Sequence, residues 1–447
     1  MDKLTLLKEM FENPPAKYRS APFWAWNDKL DPNELRTQVR AMKEQGMGGF
    51  FMHSREGLET EYMGTEWMEC VKASVEEAKK SGIYAWLYDE DRWPSGTAGG
   101  KVTAESEEFR AKGLTIEIST EGFLPEPSVQ ALFKAKVDGM NIAECERLDI
   151  SRPLPRPEHG VLLIFRLEIS LKSEWFNNQS PPDNLNPKTV RCFIEKTYEA
   201  YKEHVGAEFG NTIPGIFTDE PGLHDRTCRF SGDPGWIPWT YMFPGFFKER
   251  RGYDILDYIP YIFFNGKYSE KARHDYWWTV TELFSESYTK QLYEWCDKNG
   301  LAFTGHFLWE NNLGIATRVC GAIMPNYRYQ HIPGIDMLNN QTDEYITVKQ
   351  CTSVANQYGR KQVITETYGC TGWDFDFEGQ KWIGDFQFAM GVNIRCQHLA
   401  LYSLRGCRKR DYPPSFNYNT TWWKYNKVIE DYFSRLSAVL TEGEAVR

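Results

Sequence analysis

Short apolar runs alternate with amphipathic segments along most of this 447-residue chain. Residues 21–26, 49–53 and 83–88 are apolar runs of strand length. Between the first two runs, Asp31 and Pro32 form a helix-start signal, and Leu35, Val39 and Met42 follow at helical spacing. A second helical pattern covers residues 65–80. This alternation predicts parallel strands that are joined by helical crossovers.

The alternation is interrupted after residue 88 and resumes near residue 187. The intervening runs at 114–118, 129–137 and 161–165 favour an inserted antiparallel sheet. Five further strands are predicted at 213–218, 301–306, 329–337, 362–365 and 394–401. Helices are predicted at 187–205, 273–295, 313–319, 344–358, 380–390 and 421–440. Eight strand–helix units indicate an α/β fold, a (β/α)8 TIM barrel with a β-rich insertion between strands 3 and 4.

This organisation assigns residues 1–112 to the first three barrel strands, 113–180 to the insertion, and 181–447 to the remaining strands and the closing helix. A doubly wound open sheet is the alternative fold. A functional sheet of that type would carry a glycine-rich phosphate turn after an early strand, and the sequence has none.

The charge balance narrows the possible partners. The chain has 62 Asp and Glu against 52 Lys and Arg, a net charge of −10, which argues against a nucleic-acid partner. Its apolar runs are too short to span a membrane. The N-terminus lacks a signal-peptide pattern, which predicts a cytoplasmic location, or a periplasmic or secreted one if a leader has been removed. The ten cysteines favour buried free thiols.

Aromatic residues make up 15% of the chain, and 16 of them are tryptophans. Such a content suits a large core or a cleft that stacks against sugar rings. The tryptophans of periodic segments are predicted to be core residues: Trp24, Trp26, Trp86, Trp277, Trp278, Trp422 and Trp423. Those predicted to lie in loops are the candidates for sugar stacking: Trp93, Trp236, Trp239, Trp309 and Trp373.

Active sites of such barrels lie at the carboxyl ends of the strands. Glu220 follows the fourth predicted strand and Glu366 the seventh, so the two carboxyl groups would face each other across the mouth. Hydrolysis of a glycosidic bond needs such a pair. The polar and aromatic residues near other strand ends are the candidates for binding the sugar: Asn27, His53, Arg55, Asp89, Glu90, Arg92, Trp93, Asp219, His306, Glu310, Tyr368 and Trp373. The alternative is that these carboxylates are ordinary charged residues of exposed loops, without a role in catalysis or binding.

Two acidic runs are candidates for binding a metal ion. Residues 89–91 are three consecutive acids, which could bind a hard cation or pair with Arg92. Asp374, Asp376 and Glu378 alternate as oxygen ligands do in calcium loops, but phenylalanines interleave them and the glycine turn is missing. The metal ligands therefore stay unassigned.

Several strings resemble the α-L-rhamnosidase-like glycoside hydrolases of family 106. They are residues 22–27 (PFWAWN), 48–55 (GGFFMHSR), 88–96 (YDEDRWPSG) and 217–222 (FTDEPG). The resemblance runs from about residue 14 to the end of the chain. It implies a barrel, an inverting mechanism with a Glu acid and a Glu base, and a calcium ion that helps to hold the sugar. Glu220 and Glu366 match that pair, but which of them is the acid and which the base is left open. Glu310 could replace either.

The predicted protein is therefore a glycoside hydrolase that acts on an α-L-rhamnoside-like carbohydrate. Two alternatives are kept: a non-catalytic carbohydrate-binding barrel, and a metal-dependent hydrolase of another class. The sequence leaves the sugar, the linkage and the oligomeric state open.

Overall fold

A computed structural model describes residues 3–229 and 235–444 of the chain. Its strands, in chain order, are β1 Phe23–Trp26, β2 Gly49–Ser54, β3 Tyr84–Asp91, β4 Lys112–Ser119, β5 Val129–Asp138, β6 Asn141–Arg147, β7 Val161–Ile169, β8 Gly215–Thr218, β9 Trp236–Trp239, β10 Ala302–Gly305, β11 Ile332–Met337, β12 Ile364–Thr367, β13 Ile394–Gln397 and β14 Ala400–Leu401.

Nine of these strands form one parallel sheet that closes on itself. Their order is β13-β12-β11-β10-β8-β3-β2-β1-β14. The last two strands, β13 and β14, come from one stretch of chain that is interrupted at residues 398–399. Because β13 pairs with β12 and β14 pairs with β1, this stretch occupies the eighth position of a ring. The predicted (β/α)8 barrel is confirmed.

Helices surround the ring and connect its strands. Two pairs of α-helical segments, at 187–205 and 269–298, continue into one another through the π-helical turns Ile194–Tyr198 and Ser285–Thr289. No helix of the described residues is both long and apolar enough to cross a bilayer. The α-helices are Lys3–Glu12, Pro32–Glu44, Thr65–Ser81, Lys101–Glu105, Pro187–Phe193, Glu199–Val205, Phe243–Arg251, Pro260–Phe263, Ser269–Phe284, Lys290–Lys298, Leu313–Cys320, Met324–Tyr327, Tyr345–Gln357, Phe377–Ala389 and Asn426–Glu442.

The local signals in the sequence account for the first barrel helix. The Asp31 carboxylate accepts the backbone N–H groups of Asn33 and Glu34, and Pro32 occupies the first turn, where its missing N–H costs nothing. Leu35 and Val39 are fully buried against the sheet. The helix therefore starts at its cap and packs by its apolar stripe.

The strands of the barrel alternate between its interior and the helices. Phe23 points into the ring, where its side chain meets Phe51 and Phe217 edge to face. Its neighbour Trp24 packs outward and donates its indole N–H to Gln38 of the first barrel helix. This period-two alternation buries both faces of each strand, which explains why the strands have nearly continuous apolar sequences.

A second, antiparallel sheet contains four strands that lie between β3 and β8 in the chain and one that follows β8. Its order is β6-β5-β7-β4-β9, so the predicted β-rich insertion is present. The fifth strand, β9, comes from beyond residue 180 and pairs with β4. The prediction that Trp236 and Trp239 lie in sugar-stacking loops is wrong, because both side chains are buried in β9.

Other differences from the predicted elements are local. The structure adds a helix at Lys3–Glu12 and the strand β6, and it shortens the sixth predicted strand at its start. Trp278, predicted to be a core residue, is 41% exposed on the surface of its helix. Its helix belongs to an aromatic-rich segment, so spacing alone did not distinguish the inner from the outer face.

A buried ion pair ties the inserted sheet to the barrel. Lys112 at the start of β4 donates to the Asp183 carboxylate at 2.9 Å, and both side chains are almost fully buried. Lys112 also donates to the backbone carbonyls of Glu108 and Arg110, and Asp183 accepts the hydroxyl of Thr240. These bonds offset the cost of removing the two charges from water.

Replacing Lys112 by Met should destabilise the fold, because it leaves the Asp183 carboxylate buried without its cation. We expect the free energy of unfolding to fall by about 3–5 kcal/mol, measured by urea denaturation. The matched control is Lys136→Met, which removes the exposed ion pair with Glu144 and should cost less than about 1 kcal/mol. Equal losses in the two variants would contradict the anchoring role of Lys112.

Candidate active site

Acidic and imidazole side chains converge at the carboxyl ends of four neighbouring barrel strands. Asp219 and Glu220 follow β8, His306 follows β10, Asp336 lies in β11, and Glu366 lies in β12. The four acidic residues line a cavity of about 340 Å³. Residues that line this cavity, here called the catalytic cavity, include Arg55, Trp93, Asp219, Glu220, Asp336, Glu366, His398 and Tyr412.

His306 is a buried bridge between two of the carboxylates. Its Nε2 atom is 2.9 Å from Asp219 Oδ1, and its Nδ1 atom is 3.6 Å from Glu366 Oε2. Neither contact has the alignment of a directed hydrogen bond, so both are ion pairs. Burial alone would lower the pKa of His306, but Asp219 and Glu366 outweigh it and raise that pKa well above its usual value. His306 is therefore the positive charge within this cluster.

The carboxyl groups respond differently to the same surroundings. The pKa of Asp219 is lowered, because His306, the Tyr88 hydroxyl and Arg55 together outweigh the effect of burial. The pKa of Glu220 is raised well above its usual value by burial and then by the Asp219 carboxylate beside it. Burial and Asp336 also raise the pKa of Glu366, although His306 opposes them. The pKa shifts thus separate Asp219, which favours the ionised form, from Glu220 and Glu366, which both favour the protonated form. Displaced pKa values of this kind cluster at functional sites.

Glu220 is also unusual in its backbone. Its φ angle is +44°, a left-handed conformation that non-glycine residues seldom adopt. Residues held in that region cluster at functional sites, where the surrounding structure compensates the cost. Here the conformation follows β8 directly and accompanies a side chain that lines the catalytic cavity.

Arg55 and Trp93 form one wall of the catalytic cavity. The Arg55 guanidinium makes a two-pronged ion pair with Asp411, at 2.6 and 2.8 Å, and lies 4.4 Å from the centre of the Trp93 ring. Behind it, His53 stacks on Tyr88 at 3.6 Å, and the Tyr88 hydroxyl donates to Asp219. The wall is thus fixed by ionic and aromatic contacts on both sides.

The loop that carries Trp93 is organised around Glu90. The Glu90 carboxylate accepts backbone N–H groups from five residues. They are Asp91, Gly96, Thr97, Ala98 and Gly99. Next to it, Asp89 accepts the hydroxyls of Ser95 and Tyr198, and burial raises its pKa to about 8. Both acids, predicted to bind sugar, have their oxygens occupied by the protein.

Three further candidates also make internal hydrogen bonds. Asn27 bonds both backbone groups of Ser403, which connects β1 to the segment after β14. Glu310 accepts the Tyr327 hydroxyl and two backbone N–H groups, and burial raises its pKa to about 8. Tyr368 donates to the backbone of Gln380, away from the catalytic cavity. These contacts favour structural roles for the three residues.

The remaining candidates, Arg92 and Trp373, are not among the residues that line the catalytic cavity. Arg92 pairs with Glu56 and Asn177 beside the catalytic cavity. Trp373 is 43% exposed, and no contact places it at the catalytic cavity. The structure therefore brings Arg55, Trp93, Asp219, Glu220 and Glu366 to one cavity, with His53 and His306 directly behind its walls. The roles of all these residues stay predictions.

The cavity residues that sequence reasoning left out of the proposed site include Asp336, His398 and Tyr412. Asp336 was visible as an acid at a strand end, and the structure shows one of its carboxylate oxygens buried without a partner. Its pKa is raised by burial to about 7. His398 lies at the interruption between β13 and β14, 3.9 Å from Glu366. Tyr412 comes from a loop after β14, and no feature of the hydrophobic pattern marks it as a site residue.

Two overlapping groups of side chains could hold a metal ion. Asp219, His306 and Glu366 form one, and Glu220, His306 and Asp336 the other, with potential ligand atoms within 4.8 Å of one another. Both groups include the His306 imidazole, whereas calcium prefers an all-oxygen shell. The fit to calcium is therefore poor at these residues.

A comparison with known proteins identifies the family of this chain. The family model described as alpha-L-rhamnosidase, glycoside hydrolase family 106, matches residues 180–447, more than half of the chain. The chain belongs to this family. A Formosa agariphila protein, provisionally named a beta-glucuronidase, is 22% identical over 99% of the chain. The chain spans 42% of the length of that relative.

A solved structure shares the fold of this family 106 chain. The rhamnosidase from Novosphingobium sp. PP1Y superimposes with a TM-score of 0.69 at 15% identity. The match covers 98% of this chain and 61% of the other. At that identity the likeness shows the barrel and its inserted sheet rather than the substrate.

Replacing Glu90 by Gln should disorder the Trp93 loop. Either amide orientation turns an NH2 group towards at least two N–H donors that now point at a carboxylate oxygen. We expect a loss of at least about 2 kcal/mol in the free energy of unfolding, with faster hydrogen exchange at residues 92–100. The control is Glu56→Gln, which alters an exposed partner of Arg92. Unchanged exchange in Glu90→Gln would contradict the organising role.

Proposed function

We propose that this family 106 chain hydrolyses an α-L-rhamnoside-like glycosidic bond by acid and base catalysis. The observation that carries the proposal is the placement of Glu220 and Glu366 on one cavity, beside the charged bridge of His306. Both side chains are buried to more than nine-tenths, yet each lines the catalytic cavity. A carbohydrate-binding barrel without catalysis would not need carboxyl groups with such displaced pKa values.

Glu220 is the better general acid. Its raised pKa, caused by burial and by the neighbouring Asp219 carboxylate, keeps its carboxyl group protonated. A protonated carboxyl can donate its proton to the glycosidic oxygen as the bond to the anomeric carbon breaks. Glu220 then carries the negative charge, which His306 nearby partly compensates.

Glu366 is the better general base. Burial raises the pKa of Glu366 as well, but its Oε2 atom lies 3.6 Å from the positively charged His306, which opposes that rise and pairs with the carboxylate form. In that form Glu366 would take a proton from the water that attacks the anomeric carbon. The water oxygen forms the new bond to the sugar, and the leaving alcohol departs with the proton of Glu220. Proton exchange with solvent would restore both groups.

The walls of the cavity suit a sugar ring. The Trp93 ring offers an apolar face for the C–H groups of a pyranose, and Asp336 has an oxygen available for a hydroxyl. Arg55 is held rigidly by Asp411, so little side-chain entropy is lost when substrate binds.

Calcium, which the family resemblance implies, is kept as a separate proposal. The two buried groups that could hold a metal both include His306, whose positive charge and nitrogen atoms suit calcium poorly. The mechanism above therefore uses no metal-dependent step.

Separate Glu220→Gln and Glu366→Gln variants test the two roles. We expect kcat on 4-nitrophenyl α-L-rhamnoside to fall by roughly 10²–10⁴-fold in each, because general acid–base catalysis contributes that much. With a 2,4-dinitrophenyl leaving group, which needs no proton, Glu220→Gln should recover much of its rate and Glu366→Gln should not.

Glu144→Gln, an exposed change in the inserted sheet, is the matched control and should keep the wild-type rate. Recovery by Glu366→Gln instead would exchange the two assignments. Losses below about tenfold in both variants would remove both residues from the chemistry.

The stereochemical course tests the inverting mechanism. Direct attack by water predicts that hydrolysis of an α-L-rhamnoside first releases the β-anomer of the sugar. Proton NMR during the first minutes of the reaction distinguishes the two anomers before they equilibrate. Initial release of the α-anomer would show a covalent intermediate and would make Glu366 a nucleophile.

A further inference from the structure

A second cavity adjoins the catalytic cavity on the other side of Arg55. Its volume is about 470 Å³, within the range of small-molecule sites. Its lining is mainly polar and includes Arg55, Glu61, Arg92, Asn177 and Arg408. The residues proposed for acid and base catalysis do not line it, so it has no part in the mechanism above.

Arg55 belongs to the lining of both cavities. Its guanidinium stacks on Trp93, so the Arg55–Trp93 pair forms the boundary between them. A ligand that lies against this pair can reach both sides of it. Each cavity has the volume of a small-molecule site, about 340 and 470 Å³, so two linked sugar units can occupy them together.

The segment that follows β7 supplies an aromatic side chain at this boundary. Trp175 donates its indole N–H to the backbone carbonyl of Trp93 at 2.7 Å, and the two rings meet edge to face at 4.7 Å. Arg92 lies 5.3 Å from the centre of the Trp175 ring. The Trp175 side chain is nevertheless more than one-third exposed. It is therefore a fixed aromatic surface that remains open to a ligand.

The charges around the second cavity are already balanced. The three guanidinium groups pair with carboxylates: Arg55 with Asp411, Arg92 with Glu56, and Arg408 with Glu59. Glu61 adds a further acidic side chain to the lining. A uronic acid would bring a negative charge to a region without an uncompensated cation. Hydroxyl groups, by contrast, can share these charged donors and acceptors without disturbing the pairs.

We propose that the second cavity binds a neutral sugar on the leaving-group side of the scissile bond. Trp175, which packs against the lining residue Arg92, is then the stacking surface at the edge of this cavity. The inference rests on the proposed glycosidase activity and adds the class of leaving group to it. The substrate is then an oligosaccharide with a neutral second unit, and the segment that follows β7 determines part of the specificity.

The test compares kcat/KM for three substrates. α-L-Rhamnosyl fluoride has no leaving-group sugar, whereas two rhamnosyl disaccharides with the same linkage end in glucose or in glucuronic acid. The wild type should prefer the glucose disaccharide to the glucuronic acid one. Trp175→Ala should lower kcat/KM on the glucose disaccharide by about tenfold and change the fluoride rate by less than about twofold.

Two further variants separate stacking from folding. Trp175→Phe keeps an aromatic ring and should restore most of the activity on the glucose disaccharide. Trp278→Ala removes a similarly exposed tryptophan from the helix Ser269–Phe284, and it should leave both rates unchanged. The comparison of disaccharides in the wild type needs no variant, so it remains decisive if Trp175→Ala does not fold.

The outcomes distinguish this inference from the proposed function. A wild type that hydrolyses neither the fluoride nor the disaccharides would overturn the proposed function and this inference with it. Activity on the fluoride, combined with equal losses on fluoride and disaccharide in Trp175→Ala, would overturn the second-cavity site alone. A wild-type preference for the glucuronic acid disaccharide would do the same.

Discussion

The burial of several carboxyl groups around the His306 imidazole is the constraint on which the site depends. Carboxylates removed from water repel one another strongly, so the group cannot be fully ionised at once. The positive charge of His306 stabilises the Asp219 carboxylate, while Glu220 and Glu366 have raised pKa values. The cost of burial thereby keeps Asp219 ionised and favours the protonated forms of Glu220 and Glu366, and displaced pKa values of this kind are typical of functional sites.

The barrel makes this concentration of charge possible. Parallel pairing from β8 through β10 and β11 to β12 brings the carboxyl ends of four strands to one rim. Each strand contributes one or two polar side chains there, while apolar residues fill the ring below. Because the backbone of each strand is bonded on both sides, the side chains are held with little freedom, and the stability of the sheet compensates for the repulsion at its end.

The inserted sheet is attached to the barrel next to the site. Lys112 and Asp183 fasten it to the barrel through a buried ion pair, and β9 returns from the barrel to complete it. A segment after β7 then carries Trp175 to the Trp93 loop, which Glu90 holds through backbone N–H groups. The rim of the cavity therefore combines a loop from the barrel and a side chain from the insertion.

The sequence by itself determined the barrel, the order of its strands and the two strand-end glutamates. Those features follow from local periodicity, because a strand or helix buries a repeating set of positions and a barrel places strand ends at one rim. Tertiary structure decided what each polar residue does. Glu90, Glu310 and Glu366 are all acids near strand ends, yet the first two accept hydrogen bonds from the protein and the third lines the cavity. The pairing of β9 with β4, which buries Trp236 and Trp239, is likewise decided by contacts distant in sequence. Local pattern cannot specify such contacts, because hydrogen-bond partners and burial depend on residues that only the folded chain brings together.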